Sequence, residues 1–441
     1  MTLRFGTDGV RGVANRDLTP ELLVALGRAA ARVLGTDRPF LVGRDTRRSG
    51  PFVESALVAG LTAAGGDAEL VGVLPTPGIA FLSATEDVPA FVISASHNPF
   101  TDNGVKIFAR GGRKLSDDDQ ARIEAELIAP VEAPAEGDAI GTVLLDVGGA
   151  GRYVMHLAES VGGRRLAGLH VVVDCANGAG FEVAPSALRE LGLRVDVCNA
   201  DPDGVNINDG CGSTAPDGLR AEVVARGADA GIALDGDADR LVAVDETGDL
   251  VDGDQLLAVL AVDRHDRGML RGDAVVATVM SNLGLRRALS GRGIGLVEVP
   301  VGDRNVLNEL ARRDLSLGGE QSGHIVVGDL ATTGDGTLTG ILVLDVMART
   351  GSRLSELASV MTRVPQVLRN VPTSDPIGIA AEHGFQATLR AVEDELGIDG
   401  RVLVRPSGTE SMLRLMVEAP ETAQAETLAD RLVVAATAAG S

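Results

Sequence analysis

Three separate stretches of the chain repeat one order of local structure, and this repetition constrains the fold more than any other feature. In each stretch an apolar strand runs into a polar turn, and a helical segment and a second strand follow. The first strands are in "PFLVGRDTR", "LHVVVDCANGAG" and "DAVVATVMSNLG", which begin near Leu41, Val171 and Val275. Strands that alternate with helices form parallel or mixed sheets covered by helices. The sequence therefore predicts three related α/β domains.

The last part of the chain has a different pattern. "RVLVRPSGTESMLRLMVEA" predicts a strand, a loop and a strand, and "ETAQAETLADRLVVAATAA" predicts a closing helix, which together indicate a fourth, smaller α+β domain. We place the four domains at residues 1–153, 154–253, 254–365 and 366–441. The segment from Ala129 to Gly141 is rich in Pro, Ala and Glu, so we expect a surface connection there.

Charge and composition exclude several classes of protein. The 441 residues include 40 Lys and Arg against 62 Asp and Glu, so the net charge is −22. Such an acidic chain does not favour nucleic acid or an anionic membrane as a partner. The three cysteines have neither metal-site nor disulfide spacing. No apolar run approaches the ~18 residues of a membrane span and no signal peptide is evident, so we expect a soluble cytoplasmic protein.

The segment "DGDADR" carries three carboxylates at alternate positions, directly after the apolar run "AGIAL". Carboxylates this close raise one another's pKa, and burial increases the free-energy cost of ionising them. A positively charged partner is therefore expected. A calcium loop needs glycine at its sixth position, where this chain has Arg240. Oxygen ligands on a short loop suit Mg²⁺. The favoured interpretation is a magnesium site, with a solvated turn as the alternative, and its ligands would be Asp235, Asp237 and Asp239.

A second candidate site follows the apolar strand of "FVISASHNPFTDNGVKIF". Its turn carries Ser96 and His97, which indicates either a polar turn closed by proline or a phosphate-carrying, nucleophilic serine. Lys106 lies ten residues further on, and the chain has one other lysine, Lys114. Lysine can release its proton in a working pH range, whereas arginine cannot, so Lys106 is a candidate general acid/base. Lys114 lies beside a helix start, and we expect it to be solvated.

Two further loops have the composition of ligand-binding loops. "LGGEQSGHIVVGD" places Glu320 and Ser322 after two glycines, which suits the hydroxyls of a sugar, although a hairpin-like turn explains it equally well. "VRPSGTESMLR" carries two guanidinium and two hydroxyl groups around a glycine, and such donors can hold a phosphate dianion. A hairpin would bring its two arginines face to face. The candidate residues are Arg405, Ser407, Gly408, Thr409 and Arg414.

Taken together, these segments resemble the α-D-phosphohexomutase superfamily over the whole chain. The shared motifs are, in family order, "FGTDGVRG", "SASHNP", "DGDADR", "GEQSGH" and "RPSGTE". The resemblance implies four domains around a central cleft, the first three being related α/β domains with mixed sheets and the last an α+β domain that binds phosphate. It further implies an intramolecular phosphotransferase that acts on sugar phosphates as a monomer or homodimer, with a hexose 1,6-bisphosphate as activator.

The resemblance also assigns roles to residues of this sequence. Ser96 would be a phosphoserine that donates and recovers a phosphoryl group, and its phosphate would complete a Mg²⁺ site with Asp235, Asp237 and Asp239. Lys106 would act as general acid/base, and the same site would be lined by Arg11, His97 and Arg240. Glu320 and Ser322 would bind sugar hydroxyls. The non-reacting phosphate would be held by Arg405, Ser407, Gly408, Thr409 and Arg414.

Within the superfamily, "FGTDGVRG", "VGDRN" and "GGEQSGH" are most similar to the branch that interconverts glucosamine 6-phosphate and glucosamine 1-phosphate for UDP-N-acetylglucosamine and cell-wall precursors. One alternative is a phosphomannomutase/phosphoglucomutase with the same mechanism. Another is a catalytically silent protein that binds sugar phosphates, against which the intact Ser96, aspartate triplet and Lys106 count. Two positions depart from the family pattern: Ser411 replaces a proline and Asn305 replaces an aromatic residue.

Overall fold

The computed structural model of the chain describes residues 6, 9–129, 135–407 and 411–440. The first unit has the strands β1 (Val10–Val13), β2 (Phe40–Arg44), β3 (Ala68–Val73), β4 (Ala90–Ile93), β5 (Asp102–Ala109), β6 (Arg113–Lys114) and β7 (Val143–Leu145). Its helices are α1 (Pro20–Leu34), α2 (Gly50–Ala63), α3 (Thr76–Glu86) and α4 (Asp117–Ile128). The strands form one mixed sheet in the order β1-β5-β4-β2-β3-β7, with β6 paired to β5. β4 and β5 are antiparallel neighbours, so the turn between them lies at one edge of the sheet.

The first helix shows how local sequence sets an element and how small residues build the core. Thr19 Oγ1 accepts a hydrogen bond from the Leu22 N–H at 3.4 Å, and Gly35 ends α1 with a φ of 87°. α1 packs closely on α2, because a Cβ on Gly27 would lie only 2.1 Å from the Leu57 carbonyl oxygen. A backbone approach this close leaves no room for a side chain at position 27, so it requires glycine.

The second unit begins with α5 (Gly149–Glu159) and continues with β8 (His170–Asp174), α6 (Val183–Glu190), β9 (Arg194–Cys198), α7 (Asp217–Arg226), β10 (Ala230–Leu234), β11 (Leu241–Asp245) and β12 (Leu250–Val251). Its sheet has the order β12-β11-β10-β8-β9. β8, β9 and β10 are parallel, whereas β11 returns antiparallel to β10. The polar loop between β10 and β11 therefore leaves the sheet at the carboxyl end of a fully buried strand.

The third unit contains α8 (Gly253–Asp266), β13 (Ala274–Thr278), α9 (Leu283–Ser290), β14 (Gly295–Val299), α10 (Asp303–Arg313), β15 (Leu317–Gly319), β16 (Ile325–Val327), α11 (Gly336–Thr350) and α12 (Leu354–Ala358). Its sheet has the order β14-β13-β15-β16. β13 is parallel to β14 and β15, and β16 pairs antiparallel with β15.

The fourth unit contains β17 (Gln366–Pro372), α13 (Pro376–Ala381), α14 (His383–Leu396), β18 (Arg401–Pro406), β19 (Met412–Glu418) and α15 (Thr422–Ala439). Its antiparallel sheet has the order β17-β19-β18. Its hydrophobic core is separate, whereas one large core cluster runs through the first three units, from Leu41 through Val173 to Leu344. The fourth unit is therefore an independently packed body.

The predicted architecture of three α/β units and a smaller α+β unit is confirmed. The division placed between residues 153 and 154 lies inside α5, which packs on α3 of the first unit and α6 of the second. The segment predicted to be a surface connection lies partly outside the described residues. Within the segment, residues 135–141 are described and are largely exposed.

Candidate active site

Ser96 lies in the turn that joins β4 to β5, residues 94–101, which we call the serine turn. The Ser96 side chain is buried. Its φ of 53° is a left-handed conformation, which non-glycine residues keep only when their surroundings enforce it. The Ser96 hydroxyl donates a hydrogen bond to Asp235 Oδ2 at 2.5 Å, from the first unit to the second. The predicted serine and the first predicted metal ligand are therefore in direct contact.

The three aspartates of the loop after β10 are all buried. One carboxylate oxygen from each of Asp235, Asp237 and Asp239 lies within 4.8 Å of the other two. Burial and the two neighbouring carboxylates raise the pKa of Asp235 to about 8. The Oδ1 atoms of Asp237 and Asp239 are buried without a hydrogen-bond partner. Converging carboxylates with buried oxygens that lack donors fit a hard divalent cation such as Mg²⁺.

The Oδ2 atoms of Asp237 and Asp239 already have donors. Lys106 Nζ, on β5, donates to Asp237 Oδ2 at 2.8 Å and to Asp239 Oδ2 at 3.0 Å. Thr76 Oγ1, at the start of α3, also donates to Asp237 Oδ2, at 2.5 Å. The Lys106 side chain is buried, so this candidate acid/base lies in one enclosed cluster with Ser96 and the three aspartates. We call these residues and the buried side chains that contact them the serine cluster.

Three more of the predicted site residues surround the serine turn. His97 Nδ1 lies 3.5 Å from Ser96 Oγ, and Arg11 Nη1 donates to the Ala95 carbonyl at 3.4 Å. Arg240 Nε lies 3.7 Å from Asp239 Oδ1. Burial, together with the positive charges of Arg240 and Arg11, lowers the pKa of His97 to about 4. The imidazole ring is therefore neutral near pH 7, and it can donate one hydrogen bond and accept another without adding charge to the site.

The loop between β15 and β16 reaches the same cluster. His324 is buried; its Nε2 accepts from the Gly334 N–H at 3.1 Å and its Nδ1 lies 3.8 Å from Asp239 Oδ2. Burial alone would lower the pKa of His324, but the neighbouring Asp239 raises it above its ordinary value. Glu320 Oε1 accepts from the Gly302 N–H at 3.2 Å. Burial opposes the charge of Arg240, but the carboxylates of Asp239 and Asp235, with a smaller contribution from Glu320, raise its pKa. Ser322 is exposed in the turn of the same loop.

The predicted phosphate-binding arginines lie in the fourth unit. Arg405 on β18 and Arg414 on β19 are directly opposite each other in the strand register, as the hairpin prediction requires. Burial and the charge of Arg414 lower the pKa of Arg405. Two neighbouring guanidinium groups, one of them with a lowered pKa, have the charge and the hydrogen-bond donors that a dianion requires. Ser407 follows β18 and bonds through its N–H to the Met412 carbonyl at 2.9 Å, whereas Gly408 and Thr409 lie outside the described residues.

Sequence reasoning missed two side chains of the serine cluster and misjudged one lysine. Thr76 carried no local signal, because its partner Asp237 is 161 residues away. His324 ends the "GEQSGH" motif but was given no role. Lys114 is not solvated as expected; it pairs with Asp303 of the third unit and is only 14% exposed. The physical reason is that domain packing brings an opposite charge to it.

Comparisons with known proteins identify the family to which the chain is similar. Four family models described as phosphoglucomutase/phosphomannomutase alpha/beta/alpha domains I, II and III and C-terminal domain match residues 2–132, 151–248, 252–364 and 368–435. Among the residues that the structure covers, no helix combines the length and apolar character needed to cross a membrane.

Solved structures and curated relatives narrow the family. A phosphoglucomutase/phosphomannomutase family protein from Burkholderia thailandensis has a TM-score of 0.81 and 27% identity, covering 98% of this chain and 97% of that one. An N-acetylphosphoglucosamine mutase from Aspergillus fumigatus, solved with GlcNAc-6P and magnesium, shares the fold with a TM-score of 0.72 and 19% identity, covering 100% and 96%. The phosphoglucosamine mutase of Mycolicibacterium paratuberculosis is 53% identical over 441 residues, 99% of either chain. At this identity and coverage, the chain belongs to the phosphoglucosamine mutases of the phosphoglucomutase/phosphomannomutase family.

Proposed function

We propose that this phosphoglucosamine mutase interconverts glucosamine 6-phosphate and glucosamine 1-phosphate by passing a phosphoryl group through Ser96. The contact that carries the proposal is the hydrogen bond of 2.5 Å between the buried Ser96 hydroxyl and Asp235 of the aspartate cluster. A serine enclosed by carboxylates is a poor place for a phosphate unless a cation is also bound. The hydroxyl, the carboxylates and the neighbouring cationic side chains are therefore best explained as parts of one phosphoryl-transfer site.

Mg²⁺ is the cofactor that we propose for Asp235, Asp237 and Asp239, with an oxygen of phosphorylated Ser96 as a further ligand. When bound, the ion supplies positive charge that stabilises the transferring phosphoryl group. The two Oδ1 atoms that lack hydrogen-bond donors support this assignment. Arg11, His97 and Arg240 complete the polar lining, and Arg240 adds a permanent positive charge beside Asp239.

The reaction begins with phosphorylated Ser96 and glucosamine 6-phosphate. The bond between phosphorus and Ser96 Oγ breaks, a new bond forms to O1 of the sugar, and the O1 proton passes to Lys106 as general base. Ser96 Oγ keeps the electron pair of the broken bond and is the nucleophile of the second half-reaction. The product is a 1,6-bisphosphate, which turns over in the cleft. Ser96 then takes the phosphoryl group from O6, and Lys106 returns the proton to O6, which leaves glucosamine 1-phosphate. A free hexose 1,6-bisphosphate can load Ser96 by the second half of this cycle and so serves as activator.

Substrate binding is divided between two loops. Glu320 and Ser322 supply a carboxylate and a hydroxyl for the sugar hydroxyls. The non-reacting phosphate is held by Arg405, Ser407, Gly408, Thr409 and Arg414. Either phosphate of the bisphosphate must occupy this second site in turn, and a site on a separately packed unit can release one and accept the other.

We further propose that the enzyme works in the cytoplasm on small sugar phosphates, as a monomer or homodimer, in the synthesis of UDP-N-acetylglucosamine and cell-wall precursors. A second candidate keeps the mechanism but prefers glucose or mannose phosphates. The observation in its favour is Asn305, which stands where the family usually has an aromatic residue; its amide donates to the Val301 carbonyl at 3.1 Å.

A coupled assay with Mg²⁺ and a trace of glucose 1,6-bisphosphate tests the proposal. We expect kcat/KM for glucosamine 6-phosphate to exceed the values for glucose 6-phosphate and mannose 6-phosphate by ~100-fold or more, about 2.7 kcal/mol of transition-state discrimination. Comparable values for a neutral hexose phosphate would support the second candidate. Absence of turnover on all three substrates, with phosphate present on Ser96, would contradict the proposed function.

A further inference from the structure

The polar turn after β2, residues 45–48, contacts the serine turn and the second unit at the same time. Arg47 is fully buried and pairs with Asp45 Oδ2 at 2.9 Å, and Asp45 in turn accepts from the Ser94 hydroxyl at 2.6 Å. On the other side, Thr46 Oγ1 donates to the Asn177 carbonyl at 2.5 Å and the Arg48 N–H donates to the Gly204 carbonyl at 2.8 Å. The turn therefore links the strand that leads to Ser96 with loops of the second unit.

The remaining guanidinium nitrogens of Arg47 donate to backbone carbonyls in and next to the serine turn. Its Nη2 donates to the carbonyls of Ser96 and Asn98, both at 2.8 Å. Its Nη1 donates to the Asp102 carbonyl at 3.1 Å and also to the Pro99 carbonyl. A buried guanidinium whose charge is balanced by Asp45, and whose two terminal nitrogens donate to four carbonyls within residues 96–102, fixes the path of that segment.

Asn208 of the second unit binds two of the same carbonyls. Its Nδ2 donates to the Ser96 carbonyl at 2.9 Å and to the Asn98 carbonyl at 3.2 Å. Asn208 has a φ of 58°, a left-handed conformation that asparagine tolerates better than most residues. The Ser96 carbonyl is thus held from both units, by Arg47 and by Asn208, and we refer to these two residues as the carbonyl clamp.

The loop of metal-ligating aspartates passes against the same point. A Cβ on Gly236 would lie 2.5 Å from the Ser96 carbonyl oxygen and 2.8 Å from Asn208 Nδ2. Gly236 lies between Asp235 and Asp237 in the sequence. The carbonyl that the clamp holds is therefore also the point of the serine turn that the aspartate loop approaches. The Ser96 backbone has a left-handed φ of 53° at this point, so the hydrogen bonds to its carbonyl act on the residue whose Oγ contacts Asp235.

We infer that Arg47 and Asn208 are positioning residues for phosphoryl transfer: they touch no substrate, and they hold Ser96 Oγ in register with the aspartate cluster across the boundary of two units. This inference rests on the proposed role of Ser96 as the phosphoryl carrier. A displacement of about 1 Å at a reacting atom costs up to about 100-fold in rate, so the clamp should act on kcat. Substrate binding, which lies with Glu320 and the fourth unit, should change little.

Asn208→Gly is the most informative variant, since glycine accepts the left-handed φ while both donated hydrogen bonds are lost. We expect kcat, and the rate at which glucose 1,6-bisphosphate places phosphate on Ser96, to fall about 10- to 100-fold. KM for glucosamine 6-phosphate should stay within about 2-fold, since binding energy to the substrate is unchanged. Arg47→Lys keeps a charge beside Asp45 but lacks the fork of donors, so it should lower kcat in the same way.

Asn206→Ala is the matched control. Asn206 lies in the same loop and its side chain bonds to Asp201 and Asp203 of that loop but not to the serine turn. Its kcat should remain near wild type. A wild-type kcat in Asn208→Gly would overturn the inference. It would also be overturned if Asn206→Ala lowered kcat and Tm as much as Asn208→Gly does. If Ser96→Ala still takes up phosphate and turns over substrate, the proposed function fails, which is distinguishable from failure of the clamp alone.

Discussion

Compared with the arginine pair of the fourth unit, the serine cluster is more deeply buried and receives its parts from more of the chain. Ser96 and the three aspartates are each at most 3% exposed and come from two units that share a core. Arg405 and Arg414 lie opposite each other on neighbouring strands of one small sheet, which has its own core. The first site is assembled by domain packing, and the second by a single hairpin.

This difference matches the demands of the reaction. Phosphoryl transfer depends on alignment and charge neutralisation, which require fixed groups in an enclosed place. Anchoring the second phosphate depends on reversible capture, because the bisphosphate must turn between the two half-reactions. The comparison therefore predicts that changes at the serine cluster alter kcat, and that changes at the arginine pair alter KM.

The largest effect outside the serine cluster is expected when the arginine pair is broken. In Arg414→Gln, loss of one charge-assisted contact should raise KM for glucosamine 6-phosphate about 10- to 100-fold and leave kcat within about 3-fold. Steady-state kinetics at saturating Mg²⁺ measures both constants. Arg369→Gln is the control. Arg369 lies on the neighbouring strand β17 and pairs with the exposed Asp430, so its replacement should leave KM unchanged. A fall in kcat without a change in KM for Arg414→Gln would contradict the division of roles.

The next prediction concerns stability rather than kinetics, at the connection between the third and fourth units. Asp254 on α8 is buried and accepts from the Asn282 N–H at 2.7 Å; the Asn282 side chain bonds in turn to Val364 just before β17. Burial and the charges of Asp252 and Glu418 raise the pKa of Asp254 to about 7 from 3.8. Between these two values the folded state holds a proton that the unfolded state releases. The free energy of unfolding should therefore fall as pH rises from about 4 to about 7, and this contribution should be constant above that range.

Asp254→Asn removes the ionisation and keeps an oxygen that can accept from Asn282. We expect its free energy of unfolding, measured by urea denaturation, to exceed that of wild type by up to about 4 kcal/mol at pH 8 and to approach the wild-type value at pH 5. Activity should be unchanged, because Asp254 contacts neither site. Asp266→Asn, at the exposed end of the same helix, should keep the pH dependence of wild type. A variant Asp254→Asn that is less stable than wild type at pH 8 would rule out this cause.

Local pattern was sufficient for the features that depend on a few consecutive residues. Ser96, the aspartate triplet and the arginine hairpin each follow or flank an apolar strand, so their strand ends could be located from the sequence. The contacts of Arg47 with carbonyls 49 to 55 residues away, and the pairing of Lys114 with Asp303, could not, because they depend on how complete units pack. The polar turn after β2 was visible in the sequence, but nothing local identified its partners.

The most direct test of the central claim is the phosphate content of Ser96. The protein would be incubated with Mg²⁺ and glucose 1,6-bisphosphate, and intact mass and peptide mapping would then count and locate the phosphate. The account predicts one phosphate per chain on Ser96, lost on addition of glucosamine 6-phosphate with formation of a bisphosphate, and none in Ser96→Ala. Phosphate on another residue, or full turnover by Ser96→Ala, would contradict it.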